Sequence, residues 1–204
     1  MKIYPHKLSL SLILVGLLTF PVYAASIHER LEPCLACHGE KGQSESPDVP
    51  SLGAQPPNAT LIQLYLFREK RRNHEVMIER SKDLTDTDLQ IISDILARLP
   101  PPKPAEQKPD DGRMHRGREV SHKNRCGFCH NPDYSGRDNI PRLAAQQEEY
   151  LVKAMREYKS GERKGYDAQM AEVLYAMNDT EIRDVAYFLA NLAAETPDKK
   201  KVPQ

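Results

Sequence analysis

The sequence predicts an all-α fold built from two tandem copies of one helical unit. Three observations carry this. Apolar residues recur at helical spacing in several separate stretches. The same succession of residues returns 91 to 93 positions later. Between the copies runs Pro100-Pro101-Pro102-Lys103-Pro104, continuing to Pro109-Asp110-Asp111-Gly112, and so many prolines exclude helix and impose an extended, semi-rigid connector. The chain has 204 residues, room for one large or two small domains. The predicted division is 1–24, 25–99, 100–112, 113–195 and 196–204.

The first segment is basic at Lys2 and Lys7 and almost wholly apolar from Leu8 to Phe20. Pro21 ends the run, and Val22-Tyr23-Ala24 is a small-x-small site. This predicts a secretory signal peptide cleaved near Ala24. The alternative is a retained anchor, although thirteen apolar residues are short for a span.

Within each copy the pattern predicts helix, loop, helix, loop, helix. The first helices run over 26–33 and 118–125. The second are 59–70, with Leu61, Ile62, Leu64, Tyr65 and Leu66 on one stripe, and 148–159, with Tyr150, Leu151, Ala154, Met155 and Tyr158. The last begin at the N-cap candidates Thr85 and Asn178, each followed three residues on by an acid, Asp88 and Glu181. Their apolar faces are Leu89, Ile92, Ile95, Leu96, Leu99 and Ile182, Val185, Ala186, Leu189, Leu192. The tail at 196–204 contains the run Lys199-Lys200-Lys201 and is predicted to lack structure.

All four cysteines fall in two short motifs, Cys34-Leu35-Ala36-Cys37-His38 and Cys126-Gly127-Phe128-Cys129-His130. C-x-x-C-H is the signature of covalent c-type haem attachment. Cysteines three apart share one side of a helical turn, so both sulfurs reach vinyl groups on one porphyrin edge. The next histidine then lies under the iron. A thioredoxin-like pair needs a βαβ setting that this sequence lacks. A structural zinc site needs four ligands where each motif supplies three, and simple disulfides are the remaining alternative. The composition suits a cofactor-filled core: hydrophobic residues make up 39%, there is no Trp, and the mean hydropathy is −0.64. Two haem c groups are therefore expected, with Cys34, Cys37, Cys126 and Cys129 as thioether anchors and His38 and His130 as iron ligands.

An electron carrier fills the sixth coordination position, and a catalyst leaves it open. Met77 is the only methionine after the signal segment in the first copy; Met114, Met155, Met170 and Met177 compete in the second. Met77 stands seven residues before Leu84, and Met170 stands seven before Met177. Repeat symmetry thus selects Met77 and Met170, leaving Met177 at a core position. The methionines could instead be gap-fillers, and His74, or His115 and His122, are rival ligands. Pro50 and Pro141 follow the histidines by twelve and eleven residues. Each offers a carbonyl that could accept the other ring N–H and fix its tautomer. The run from Phe67 to His74 is basic, either a solvated face or a partner for carboxylates.

Charge is balanced at 29 basic and 29 acidic residues. Residues 25–112 carry 11 basic and 15 acidic side chains, and residues 113–204 carry 16 and 14. Neither half is basic enough for nucleic acid.

These motifs resemble two-haem class I cytochromes c of the cytochrome c4 type over about 27–195. The carriers in the first half are Cys34 to Gly42, Pro50-Ser51-Leu52, Met77, and Leu84 to Leu89. In the second they are Cys126 to His130, Pro141 to Gln146 with Tyr150-Leu151, Gly161-Glu162-Arg163, Met170, and Asn178 to Ile182 leading to Tyr187. The resemblance implies two cytochrome c folds facing each other about a pseudo-twofold axis, His/Met ligation of both irons, and single-electron transfer in the periplasm. It implies a quinol-oxidising complex or dehydrogenase as donor and a terminal oxidase as acceptor. Two further readings stay open. One is a subunit of a larger dehydrogenase or oxidase complex. The other is a haem enzyme, a peroxidase or sulfur-compound oxidase, with one open iron. The chain departs from the pattern at Asn131, where glycine is usual, at Asp94 opposite Tyr187, and at Lys70-Arg71-Arg72 in place of a glycine-arginine segment.

Overall fold

The structure is a computed structural model that describes residues 27–163 and 168–193. The signal-peptide segment and the basic tail lie outside the described residues. Among these residues the chain is helical, with one isolated bridge between Arg137 and Ile140 and no strand. The first half holds α1 (Ile27–His38), α2 (Pro57–Arg68), α3 (Glu75–Ser81) and α4 (Asp86–Arg98). The second holds α5 (Asp111–Lys123), α6 (Cys126–His130), α7 (Glu148–Ser160), α8 (Ala168–Tyr175) and α9 (Asp179–Ala190). The principal helix pairs are α2 with α4 and α3, α1 with α4, α5 with α9 and α6, and α7 with α9 and α8. All lie within one half.

The closing helices show how local chemistry sets a boundary. Thr85 and Asn178 each accept from the backbone N–H three residues on, and Asp88 and Glu181 return the bond to the cap residue's own N–H. Both capping boxes thereby satisfy donors that a helix start leaves orphaned. The same two acids also hold the first helices. Arg30 of α1 meets Asp88 at 2.8 Å, and Lys123 of α5 meets Glu181 at 2.9 Å, the equivalent pair 93 residues on. Above the caps, Leu89, Ile92 and Leu96, and Ile182, Val185, Ala186 and Leu189, are buried.

Four sequence expectations need correction. The pattern predicts loop ahead of each methionine, yet α3 and α8 put both methionines on short helices. Seven or eight residues are too few for a 3.6-residue period to declare itself. The first helix runs past Pro33 and through the whole motif to His38, whereas in the second half Asn124 and Arg125 (φ 55°) break the chain between α5 and α6. Helix α5 begins at Asp111, inside the stretch predicted as connector, because Asp110 caps it by accepting from Arg113 N–H at 2.7 Å. Tyr65 does not join the buried stripe of α2; its ring faces out beneath the Arg68 guanidinium, 5.5 Å away.

The connector is tied to both halves. Gln43 and Lys103 exchange two hydrogen bonds, Gln43 Nε2 to the Lys103 carbonyl at 3.0 Å and Lys103 N–H to Gln43 Oε1 at 3.1 Å. Farther on, Asp110 N–H donates to Tyr187 Oη at 2.7 Å, so this last-helix tyrosine anchors the connector where it enters α5.

Helices α5 and α9 cross at Gly117. A Cβ there would stand 2.2 Å from the Asp184 carbonyl oxygen and 2.5 Å from Phe188 Cβ. Backbone cannot yield cheaply, so Gly117→Ala is expected to destabilise the second half by about 1–3 kcal/mol, the usual cost of overpacking. Thermal denaturation should register this as a fall of roughly 5 °C or more in the Tm of that half.

Candidate haem sites and the contact between the halves

Each motif histidine is buried, His38 at the end of α1 and His130 at the end of α6. His38 Nδ1 lies 2.7 Å from the Pro50 carbonyl oxygen, and His130 Nδ1 lies 2.8 Å from that of Pro141. A carbonyl can only accept, so each Nδ1 carries the ring proton. Each Nε2 then keeps its lone pair for a metal. Burial pushes the His38 imidazole below its ordinary range, outweighing the Pro50 hydrogen bond, and His74 adds to the depression. The neutral ring is the ligating form.

No disulfide joins the four cysteines; Cys37 is exposed and the others are half-buried. Burial pushes the Cys34 thiol up against the opposing charge of Arg80, and burial pushes Cys126 up as well. Both are protonated at neutral pH, and thioether formation would place each sulfur and its hydrogen across a vinyl group. Among the described residues no three His, Cys, Asp or Glu side chains converge as a metal site. A motif that spreads two sulfurs and an imidazole along a helix suits a wide planar group better than a point ion.

Met77 and Met170 occupy the third position of α3 and α8. Both are half-buried, and each packs against the core of its own half. Helix α3 lies near α1, close enough for His74 to act on His38 and Arg80 on Cys34. His74 itself caps α3, its Nδ1 accepting from Met77 N–H at 3.4 Å, and its ring meets Phe67 edge-on at 6.2 Å. His115 and His122 are exposed on α5. Met177 is buried in the second core, Met155 is buried on α7, and Met114 packs at the core's edge.

The basic run of the first half divides. Arg68 turns back onto Asp86 at 2.8 Å and the Leu84 carbonyl at 3.0 Å, so it fastens α2 to α4. Arg72 instead joins Arg163 of the other half around one acceptor, Gln63 Oε1, at 2.7 and 3.2 Å. Arg163 Nε is sealed from solvent with no hydrogen-bond partner. Neither guanidinium forms a salt bridge among the described residues. Tyr150 completes the cluster. Burial of its hydroxyl would push the phenol up, but Arg163 and Arg72 together outweigh this and bring it down to about 8. A pocket that drains a phenol so early is short of negative charge. Two half-buried guanidiniums, one with an orphaned and sealed Nε, fit a group that brings its own carboxylates, as a haem does.

The halves meet through loops. Gln55 Nε2 donates to the Arg142 carbonyl at 3.1 Å, and Arg142 N–H donates back to Gln55 Oε1 at 3.0 Å. Gln146 Nε2 donates to the Ser51 carbonyl at 2.8 Å, and Ser51 N–H donates back to Gln146 Oε1 at 2.7 Å. Ser51 aligns with Arg142 and Gln55 with Gln146 in the repeat, so the contact is self-complementary about a pseudo-twofold axis. Gln147 Nε2 also reaches the Ser44 carbonyl, and Tyr150 N–H donates to the Pro47 carbonyl at 3.0 Å. Sequence reasoning missed these glutamines. Their only signal is their place at the end of the repeated segments Pro50 to Gln55 and Pro141 to Gln146.

Comparison with known proteins bears on this arrangement. The family model "Cytochrome c" matches residues 114–193. A cytochrome c4 of Thiocapsa roseopersicina is 27% identical over 169 residues, covering 78% of this chain and 87% of that protein. A thiosulfate dehydrogenase electron acceptor of Thiomonas intermedia is 26% identical over 167 residues, covering 77% of each. The crystal structure of reduced recombinant cytochrome c4 from Pseudomonas stutzeri superposes with a TM-score of 0.72 at 22% identity, covering 83% of this chain and all of that one. The last likeness speaks for the fold.

Proposed function

We propose that this protein, a c-type cytochrome of the cytochrome c4 type, carries two covalent haems and passes single electrons between redox proteins in the periplasm. The observation that carries the reading is the repeated histidine geometry. Both motif histidines are buried, and both give Nδ1–H to a proline carbonyl. Bound haem supplies a one-electron iron couple.

The chain's own residues do the rest. Cys34 and Cys37, and Cys126 and Cys129, anchor each ring by thioethers. His38 and His130 present Nε2 to the irons, held in one tautomer by Pro50 and Pro141. Met77 and Met170 would supply thioether sulfur to the irons, a soft donor that favours reduced iron and raises the potential. Arg72, Arg163 and Tyr150 receive carboxylates at the contact between the halves. Export to the periplasm follows from the N-terminal segment; among the described residues no helix is long and apolar enough to cross a membrane.

A dehydrogenase is the favoured donor, since similar proteins are named as electron acceptors of thiosulfate dehydrogenase. A quinol-oxidising complex is the other donor, and a terminal oxidase the acceptor. The purified protein is expected to hold two covalent haems per chain. Both should be low-spin with the near-infrared band of sulfur-ligated ferric iron, and the reduced protein should bind carbon monoxide slowly. One haem per chain, or high-spin spectra from both, would overturn the reading. Rapid carbon monoxide binding would point to the haem-enzyme alternative.

A further inference from the structure

Pro50 C=O and Ser51 N–H are the two ends of one peptide unit. The carbonyl end lies 2.7 Å from His38 Nδ1, and the N–H end donates over 2.7 Å to Gln146 Oε1 of the opposite half. The Pro141–Arg142 unit repeats the arrangement, with 2.8 Å to His130 Nδ1 and 3.0 Å to Gln55 Oε1. Both glutamines are buried, and each carboxamide is locked by a second bond from Nε2 to the same residue's carbonyl. Gln146 Oε1 also accepts from Gln147 N–H at 3.0 Å. The residues just before the glutamines, Ala54 and Ala145, are both left-handed, at φ 52° and 57°. Alanine resists that conformation, and both repeats hold it where the glutamine turns across the interface.

An amide polarises as a unit. An acceptor at its N–H end draws negative charge onto its carbonyl oxygen and makes that oxygen a better acceptor in turn. A better acceptor at Nδ1–H makes the imidazole a more basic ligand. A more basic ligand favours the oxidised, more positive iron and lowers the potential.

We propose that Gln55 and Gln146 are positioning residues that set, across the interface, the redox potential of the haem held by the other half. Gln146 acts on the haem of His38, and Gln55 acts on the haem of His130. The inference rests on the two-haem, histidine-ligated reading above. It makes the docking of the halves a common control on both potentials, so any change that separates them raises both.

The test uses the full-length two-haem protein with Gln146→Leu and Gln55→Leu. Haem content and the sulfur-to-iron band are measured first; a missing haem or altered ligation defeats the underlying reading and is seen before any titration. Potentials are then resolved haem by haem, with Met77 and Met170 variants identifying which is which. Gln146→Leu is expected to raise the reduced-to-oxidised ratio of the first haem about threefold at fixed ambient potential, roughly 28 mV at about 59 mV per tenfold. The second haem should stay in place, and Gln55→Leu should give the mirror result. In the reduced protein, the Nδ1–H proton resonance of the affected histidine should move upfield. Shifts confined to the mutated half, equal shifts in both haems, or no shift would each overturn the proposal. If the leucine chains fail to accumulate, Gln146→Glu and Gln55→Glu carry the test. Glutamate keeps an acceptor for the N–H, so the opposite haem alone should hold or lower its potential, and a rise there would overturn the proposal.

Discussion

Replacing Cys34 and Cys37 together with alanine is expected to unfold the first half as well as strip its haem. The reason is the size of its protein core. Among the described residues, Leu31, Leu64, Leu89, Ile92 and Leu96 form the buried cluster of that half, with Ala59, Leu66 and Phe67 buried outside it and half-buried residues such as Cys34, Leu52 and Met77 against it. The second half buries twelve residues in one cluster, among them Tyr134, Phe188, Met155 and Met177. A domain this small needs most of its apolar surface covered before burial outweighs chain entropy. On the two-haem reading, the first half draws the balance from the flat apolar body of its haem. The double variant should therefore lose about the helical signal of α1 to α4, a little under half of the total in the far-ultraviolet. Protease should cut between residues 27 and 99 while sparing the second half. The mirror variant, Cys126→Ala with Cys129→Ala, should lose a haem yet keep α5, α7 and α9 packed, with a lowered Tm. Equal loss of helix in the two variants would contradict the argument.

That asymmetry was not legible in the sequence, where the two copies look alike. What could be read was local. A capping box is four residues of chemistry, so Thr85 and Asn178 announced α4 and α9 at once. The C-x-x-C-H motifs are equally short-range, and Pro50 and Pro141 stand out by their spacing from the histidines. Helices α3 and α8 were hidden because one or two turns show no period. The glutamine clamps were hidden for a different reason. A side chain that replaces a strand partner leaves no pattern in its own neighbourhood, and Gln55 is read only against Arg142, 87 residues away. Arg72 and Arg163 likewise look like surface charge until the fold brings them onto Gln63.

Replacing either methionine proposed as an iron ligand carries the second large effect. Met170→Ala removes a soft donor from the third residue of α8 while leaving the helix with its remaining packing at Leu174. Helical signal should barely change. The potential of the second haem should fall by about 100 mV or more, within the ~0.8 V over which axial ligands move haem potentials, and the sulfur-to-iron band should halve. Met77→Ala should do the same to the first haem, but there a neighbour competes. His74 stands near His38, and its Nδ1 already accepts from the Met77 N–H. That bond places the ring proton on Nε2, the nitrogen that would have to ligate. His74 can take the vacated position only by giving up the cap of α3 and exchanging tautomers. The expected product is accordingly an iron open to water and carbon monoxide rather than one held by two histidines. Electron paramagnetic resonance separates the two: a high-spin signal from the first haem of Met77→Ala supports methionine as ligand with His74 as cap. A bis-histidine signal would mean that His74 leaves the cap of α3 to take the vacated position, and an unchanged spectrum would remove Met77 from the iron altogether.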